Sequence, residues 1–472
     1  MNSSFRFARL TALSAALLLG ACAHIDTSKP ESDLPPMTEP SPQAVEQFWT
    51  LFQDEELTRL VEEALANSRD LKIAVSRIEE ARANLRIAKQ NLYPTLDATA
   101  GGNRTKLSGK IIDIPPGTPL TFNTFQLGLQ SAYEVDLWGR LAAQREGAAS
   151  SLLATRYAAE TVRIALASQV ALTYFSLRGL DAELVVTRDT LKTRDENVRL
   201  QQTRTSAGLT SELDLRFAEA ERATVAGTIP PLERAVTQTE AALARLVGRS
   251  ARDVYTPTIA RGRPLDENIV APAVPRGLPS DLLARRPDIR QAEAVLLTTR
   301  AQIAEAHAQY FPSLILTGSL GHESSDLSDL FSAPARIWSI AGSLLQPIIG
   351  LNRIDAEVDA ATARSAQAAL IYQQSVVDAL RDVHDALAEH SSAVASFDAQ
   401  DDRRKKQADV LRLAELRYKN GYSSYLEVLD AQRNLFDADR ARVLALREQQ
   451  AAVVDLYRAL GGGWSPDQFA AQ

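Results

Sequence analysis

The sequence is short of aromatic residues and contains one cysteine among 472 residues. Aromatic residues make up 6% of the chain, whereas 45% of the residues are hydrophobic and 24% are charged. Because small aliphatic side chains bury little area each, this composition favours long helices packed along narrow seams over a few thick cores. A single cysteine excludes a disulfide framework, a cysteine-based zinc site and an internal CxxC redox pair.

A basic net charge, a long basic run and catalytic motifs are also missing from the sequence. The net charge is −7 and no long basic run occurs, so we expect no nucleic-acid partner. The 5 histidines include no HExxH motif, and we interpret His384 and His390 as surface residues. Glycines 461–463 follow a predicted helix and therefore end it, whereas a phosphate-binding loop would open one. We predict no enzymatic activity, no cofactor and no metal site.

The lone cysteine, Cys22, follows a segment typical of exported proteins. Two arginines precede an apolar run from Leu10 to Leu19, which is too short to span a bilayer. Leu19-Gly20-Ala21-Cys22 resembles a bacterial lipobox, which predicts a signal peptide over residues 1–21 and lipidation (palmitate) of Cys22. Ala23 stands where retained lipoproteins carry aspartate, which implies sorting to the outer membrane. An ordinary signal peptide is the alternative.

Proline divides the rest of the chain. Residues 22–43 are polar and proline-rich and predict an extended, lipidated tether. No proline occurs between positions 119 and 230 or between 347 and 466, and such windows permit helices far longer than average. A continuous helix from Arg140 to Thr205 would be roughly 100 Å long. The adjacent prolines at 230 and 231 predict a break in the helix that follows.

Two apolar stripes follow the predicted helix after Gly421. They contain Leu429, Leu446 and Val453 in one stripe and Val428, Ala431 and Ala445 in the other. Two seams on one helix require two helical neighbours, as in a sheet or barrel of helices. A core helix in a large bundle is the alternative for any single segment.

The sequence is duplicated internally. Residues 207–214 align with residues 420–427 at an offset of 213, and the later segments 243–248 and 456–461 keep this offset. Each copy contains a helix, an aromatic-proline pair, two short apolar segments, a very long helix, a tight glycine turn and a returning helix. The predicted domains are two repeats, residues 44–248 and 286–460, a linker, residues 249–285, and a tail, residues 461–472.

The short segments after the aromatic-proline pairs are predicted strands. From Phe125 to Val135 apolar and polar side chains alternate, which suits a membrane strand with lipid on one face and water on the other. Trp338 suits an interfacial aromatic girdle. The predicted membrane hairpins cover residues 94–136 and 312–347. A small soluble sandwich sheet is the alternative.

The number of strands leads to an expectation about assembly. Open sheet edges are not tolerated in lipid, so membrane strands must close into a barrel. Four strands cannot close, and an eight-stranded barrel is filled by its own side chains. A water-filled conduit therefore requires at least three chains.

Together, the lipobox, the duplicated unit, the segment Leu278 to Ile289 (LPSDLLARRPDI) and the Tyr-Pro and Phe-Pro strand entries resemble the outer-membrane factor (TolC-like) family. The NodT/OprM-type efflux lipoproteins are the branch that fits best. The resemblance implies a mainly α fold with membrane β: a trimeric 12-strand transmembrane β-barrel, four strands per chain, continuous with a long periplasmic α-helical barrel. Residues 44–67, 249–285 and 461–472 would form an equatorial belt.

The resemblance also implies a function. The chain would be the outer-membrane exit duct of a tripartite efflux system, passively conducting small toxic compounds or drugs. It would be a homotrimer in outer-membrane lipid, docked to a periplasmic adaptor (membrane fusion protein) and an inner-membrane transporter of the RND type. A type I protein-secretion conduit and a non-conducting, envelope-spanning structural lipoprotein are the alternatives.

Two carboxylates after the second glycine turn match the entrance acids of that family. Glu427 and Asp430 lie six and nine residues after Gly421 and share one helix face. In a trimer, six carboxylates would crowd one axis and form a cation-preferring periplasmic gate in which mutual repulsion raises some pKa values. The alternative interpretation of Glu427 and Asp430 is a solvated acidic face of a helix, which we would prefer if the repeat and the glycine turn were absent.

The first repeat matches this gate only in part. Tyr418 corresponds to a family tyrosine that latches the closed state, and Asp214 corresponds to Glu427. Phe217 and Thr205 replace the second acid and the tyrosine, so the second-repeat hairpin is the predicted latch. The resemblance implies that the adaptor contacts the turn tips, which are Gly208, Leu209, Thr210 and Ser211 and, in the second repeat, Gly421, Tyr422, Ser423 and Ser424.

Overall fold

The computed structural model describes residues 47–108, 110, 120–267 and 286–462. The predicted signal peptide, Cys22 and the tether lie outside the described residues, as do parts of the first hairpin loop, the linker and the tail. The chain divides into two compact units, and each is considered by itself.

The first unit contains segments Ile87–Ala148 and Leu297–Ala366 and holds one antiparallel sheet. Its strands, in the spatial order β1-β2-β3-β4, are β1 (Thr95–Lys106), β2 (Thr121–Val135), β3 (Ser313–Ser324) and β4 (Arg336–Leu345). This arrangement confirms the two predicted hairpins and the four strands per chain. Among the described residues, β1 and β4 each pair with one strand only, so the sheet has two open edges.

Strand pairing places glycine against glycine at the centre of the sheet. Gly128 of β2 lies opposite Gly321 of β3, and a Cβ atom added to Gly321 would lie 2.5 Å from the carbonyl oxygen of Leu127. The two central strands therefore approach too closely there for any side chain. Leu320 is partnered by Leu129 on one side and by Trp338 on the other, and all three side chains are exposed.

The helices are numbered here in chain order. They are α1 (Glu55–Asn67), α2 (Arg69–Gln90), α3 (Arg140–Ser206), α4 (Glu212–Leu246), α5 (Ala251–Tyr255), α6 (Pro287–Ala308), α7 (Leu351–Lys419) and α8 (Tyr425–Ala459). Helix α3 has 67 residues and α7 has 69, which confirms the very long helices predicted from the proline-free windows. Among the described residues, no helix combines the length and the low polarity needed to cross a bilayer.

The second unit contains the described residues of the segments Pro36–Arg86, Ala149–Leu296 and Gln367–Gln472. Helices α4 and α8, which return from the glycine turns, have 35 residues each. Their preceding turns close identically, because the amide of Leu209 donates to the Arg204 carbonyl at 2.8 Å and that of Tyr422 donates to the Arg417 carbonyl at 2.9 Å. Gly208 and Gly421 have φ values of 71° and 78°, which side chains disfavour. The duplication is therefore structural.

The predicted break at the double proline is wrong. Pro230 and Pro231 lie inside α4, which is continuous from Glu212 to Leu246. Both prolines and Gly227 are exposed, so water can hydrate the carbonyls that lose their N–H partners. Buried Val225 on one side and Leu243 on the other hold the two halves of the helix against their neighbours.

The interpretation of the two histidines is half correct. His384 is exposed, as expected, but His390 is partly buried and its ring Nε2 is inaccessible to solvent. Helix α7 buries Val383, Ala386 and Ala393, and His390 follows Val383 by two turns on the same face. Helical spacing to buried neighbours, rather than the spacing between the histidines, decides which of them is covered.

The largest core of the second unit surrounds Tyr174 of α3. Phe48, Phe52 and Leu57 at the beginning of the described chain pack there with Ile259 and Leu265 of the segment after α5. The Tyr174 hydroxyl donates to the Asp54 carboxylate at 2.8 Å and accepts from the amide of Gly262 at 3.1 Å. Burial, followed by this hydrogen bond to Asp54, raises the pKa of Tyr174. The core thus joins both segments to one long helix.

Candidate gate at the paired helical hairpins

The ends of the two helical hairpins pack against each other. Helices α3 and α4 form the first hairpin, helices α7 and α8 form the second, and glycine turns join each pair. A small cluster of buried residues joins them: Ala218 of α4, Ala414 of α7 and Tyr425, Val428, Leu429 and Ala431 of α8. Both turns therefore mark the same end of the helices within this unit, as predicted.

Tyr418, at the end of α7, contacts the first hairpin through its hydroxyl and its ring. The Nε2 amide of Gln201 donates to the Tyr418 hydroxyl at 3.3 Å, and the Arg204 guanidinium lies 5.2 Å from the ring centroid. Its ring also lies 5.5 Å from that of Tyr425. Tyr418 therefore bridges the two repeats, which is the geometry that a latch requires.

Glu427 and Asp430 lie on the exposed face of α8, one turn apart. The residues between them, Val428 and Leu429, are buried against the first hairpin. Asp430 accepts a hydrogen bond from the Asn434 side chain at 3.2 Å. Among the described residues, neither carboxylate forms an ion pair with lysine or arginine, so both present uncompensated negative charge.

The first repeat carries weaker versions of these features. Asp214 is half-buried in the first turn of α4, where its amide donates to the Ser211 side chain at 3.3 Å. Burial, with the neighbouring charge of Asp214 among the smaller causes, raises the pKa of Tyr425 to about 12. Thr205 pairs with the Thr210 hydroxyl at 3.2 Å instead of reaching across to the other hairpin. The asymmetry between the repeats is therefore visible in the contacts.

Three charged residues beneath the tips were not predicted from the sequence. Glu221 of α4 is 6% exposed and accepts from the Arg433 Nε atom of α8 at 2.8 Å. Arg194 of α3 is 4% exposed, and burial lowers the pKa of its guanidinium. The signal was present, because Glu221 is spaced from buried Ala218 and Val225 by three and four residues and so occupies the covered face.

The predicted adaptor contacts are mostly accessible. Gly208, Leu209, Ser211, Gly421, Tyr422 and Ser424 are exposed, whereas Thr210 and Ser423 are half-buried. Leu209 is 70% exposed and Tyr422 is 78% exposed, and the two occupy equivalent positions in the two turns. Each turn therefore presents one large apolar side chain to its surroundings. The predicted lipidation site, Cys22, lies outside the described residues.

Comparison with known proteins identifies the family. The sequence profile of the family described as "Outer membrane efflux protein" matches residues 60–249 and 278–462. The chain belongs to the outer membrane efflux protein family. It is 37% identical over 426 residues to the solvent efflux pump outer membrane protein SrpC of Pseudomonas putida, covering 88% of this chain and 87% of that protein. It is 35% identical over 471 residues to outer membrane protein OprJ of Pseudomonas aeruginosa, covering 96% of each.

A solved structure agrees with this membership. The Campylobacter jejuni CmeC outer membrane channel superposes with a TM-score of 0.86 at 26% identity, covering 93% of this chain and 94% of that one. The predicted fold class is thus confirmed: a mainly α outer membrane efflux protein with a small four-stranded sheet. As a member of this family the chain is an outer-membrane exit duct for efflux. Members of the family work with periplasmic adaptors and inner-membrane pumps, and they are channels rather than enzymes.

Proposed function

We propose that three copies of this chain form a closed conduit that passively conducts small toxic compounds out of the cell. The observation that carries the proposal is the four-stranded sheet whose edge strands, β1 and β4, lack outer partners among the described residues. Unpaired backbone groups are costly in lipid, so β4 of one copy has to pair with β1 of the next. Three copies give a 12-strand barrel with room for water.

The exposed side chains of the sheet support a lipid-facing surface. Large apolar side chains on one face of the sheet stay exposed on the isolated chain: Leu127, Leu129, Leu320, Trp338, Ile340 and Leu344. Trp338 is 72% exposed, and an aromatic ring of this kind suits the level of lipid headgroups. An apolar surface of this size on a soluble protein would promote aggregation, so outer-membrane lipid is the environment that it fits.

The hairpin ends form the proposed periplasmic gate. In a trimer, Glu427 and Asp430 would contribute six carboxylates around one axis, and their unpaired charge would favour cations over anions. Tyr418 would act as the latch, because it joins the second hairpin to Gln201 and Arg204 of the first. Asp214 would add a weaker charge from the first repeat.

The remaining parts of the proposal concern attachment and partners. Acylation of Cys22, after removal of residues 1–21, would anchor the tether of residues 22–43 in the membrane. The belt would consist of residues 44–67, 249–285 and 461–472, and the two repeats would span residues 44–248 and 286–460. The exposed turn tips, with Leu209 and Tyr422 foremost, would receive the adaptor. An inner-membrane transporter of the RND type would supply the energy.

The substrates are small amphipathic compounds under this proposal. The protein SrpC is named for solvent efflux, and the sequence similarity to it covers most of both chains. A type I protein-secretion conduit would share the fold and serve a different pump. A non-conducting structural lipoprotein would not need the exposed apolar strands.

The test combines purified protein with a gene deletion. The mature protein should migrate as a heat-stable trimer and give cation-preferring pores in planar bilayers. Deletion of the gene should sensitise cells to amphipathic toxicants. A water-soluble monomer without pores would refute the conduit, and unchanged sensitivity with lost export of a polypeptide would favour secretion.

A further inference from the structure

A mostly buried charge cluster lies between the two hairpins and includes none of the carboxylates of the proposed gate. It consists of Arg194 on α3, Glu221 on α4 and Arg433 on α8. Glu221 receives the Nε and Nη2 groups of Arg433, each at 2.8 Å. The side chain of Arg433 is about half exposed, whereas Glu221 and Arg194 are almost completely covered. This ion pair therefore joins the first repeat to the second.

Glu221 forms an ion pair with Arg433, and its negative charge also acts on the buried guanidinium of Arg194. Glu221 is the carboxylate whose charge favours the charged form of Arg194, while Arg433 opposes it. Within the described part of the chain, the Arg194 Nε–H has no acceptor. A buried guanidinium with incomplete hydrogen bonding depends strongly on a nearby carboxylate. Glu221 is therefore the member whose removal the packing tolerates least.

The polar atoms around the cluster are also incompletely paired. Buried side-chain atoms without a partner in the described residues include Asn197 Nδ2, Gln201 Oε1 and Gln432 Oε1. Gln201 is the residue that donates to Tyr418, and Gln432 is on α8 two residues after Asp430. A partly satisfied polar interior gives little resistance to a change in helix packing. Besides the apolar cluster described above, the Glu221–Arg433 pair fixes the position of α8, and the Arg440–Glu183 pair does so two turns farther along the helix.

We propose that Glu221 is a positioning residue of the gate, which holds α8 against the first hairpin through Arg433 and neutralises the buried Arg194. The proposal rests on the conduit function above and assigns its closed state to a particular ion pair. Glu427 and Asp430 are on the same helix as Arg433, so release of the pair frees the helix that carries the gate carboxylates. Glu221 itself does not have to face the pore.

The test is a set of conductance measurements on full-length trimers in planar bilayers. Glu221→Gln should raise the resting conductance on the order of tenfold or more, because it breaks the link between α4 and α8 and leaves the buried Arg194 without the carboxylate that favours its charge. The matched control is Glu219→Gln, since Glu219 pairs with Arg216 on its own helix at 2.9 Å and, in the part of the chain that the structure describes, forms no ion pair with a second helix. The control should match the wild type, and cation preference should persist in both variants because the gate carboxylates are intact.

Measurements on the Arg194→Met variant distinguish a positioning role of Glu221 from a general loss of helix packing. In Arg194→Met trimers, no buried guanidinium needs neutralising, so adding Glu221→Gln should raise conductance at least several-fold less than it does alone. An equal rise in both backgrounds, or no rise in the single variant, would overturn the proposal.

If Glu221→Gln yields no trimers, Arg433→Gln takes its place, because the exposed side of Arg433 makes that variant less disruptive. Its conductance should rise several-fold, and a wild-type value would overturn the proposal. Wild-type protein without any pores would instead overturn the conduit function, and this inference with it.

Discussion

The Arg249 guanidinium forms two hydrogen bonds to the carboxylate of Glu63, at 2.8 and 3.0 Å. Arg249 directly follows the glycine that ends α4, and Glu63 lies on α1, so the pair joins the beginning of the linker to the first helix of the first repeat. The pair is partly exposed and Glu63 also accepts from Arg59 at 3.0 Å. These contacts give the carboxylate two cationic partners.

This pair predicts a pH dependence of stability. The hydrogen bond from Arg249, followed by smaller charge effects, lowers the pKa of Glu63 from the ordinary 4.5. A lowered carboxyl pKa contributes stability that is complete above pH 4.5 and is lost as the pH falls through the lower, folded-state pKa. Thermal unfolding of Glu63→Gln trimers should thus begin at a lower temperature than that of the wild type at pH 7. The gap should narrow below pH 4.5, and a gap independent of pH would contradict the assignment.

Removal of a gate carboxylate should change the pore. In Asp430→Ala trimers, the smaller side chain and the lost Asn434 contact should raise the single-channel conductance or leak about two- to tenfold, and the lost charge should reduce cation preference. Glu212→Gln is the control, because Glu212 is an exposed acid near the other turn that pairs with Arg216 at 2.9 Å. Conductance and selectivity equal to the wild type would remove Asp430 from the gate.

The latch can be tested without removing its ring. Tyr418→Phe deletes the hydroxyl that Gln201 contacts and keeps the aromatic face beneath Arg204. One hydrogen bond contributes about 0.5–1.5 kcal/mol, so the resting leak should rise about two- to tenfold. Tyr422→Phe removes a hydroxyl from the exposed tip and should leave the leak unchanged in the same bilayer recordings.

The close approach of the central strands gives a prediction about assembly. A Cβ atom at Gly321 would lie 2.5 Å from the Leu127 carbonyl, whereas one at Gly101 would meet nothing within 4 Å. Gly321→Ala should therefore cost about 1–3 kcal/mol by overpacking and reduce the yield of heat-stable trimers on gels. Gly101→Ala should leave the yield unaffected. Equal yields from the two variants would show that the strands adjust freely.

Much of the fold follows from local rules that need no knowledge of packing. The glycine turns at Gly208 and Gly421 are readable because a positive φ favours glycine. The strand at Phe125 is readable because alternation of apolar and polar residues has a period of two. The turns and the strand depend on residues close together in the sequence, so the sequence predicts them correctly.

The features that were predicted wrongly or missed depend on the residues that pack around them. Pro230 and Pro231 predicted a break, but whether a helix tolerates lost hydrogen bonds depends on solvent access to its carbonyls. Glu221 and Arg194 were missed because a charged residue in an apolar stripe looks like an interruption until its partner is known. For the same reason Gln449, which interrupts a stripe of α8 in sequence, is buried in the structure.

The two prolines inside α4 make this helix easier to bend than its counterpart α8. The positions in α8 that correspond to Pro230 and Pro231 are Val443 and Leu444, which keep both amide protons. Two consecutive backbone hydrogen bonds are therefore missing from α4 and can form in α8. A force that bends both helices would therefore deform α4 first, whereas α8, which carries Glu427 and Asp430, would move as a rigid helix.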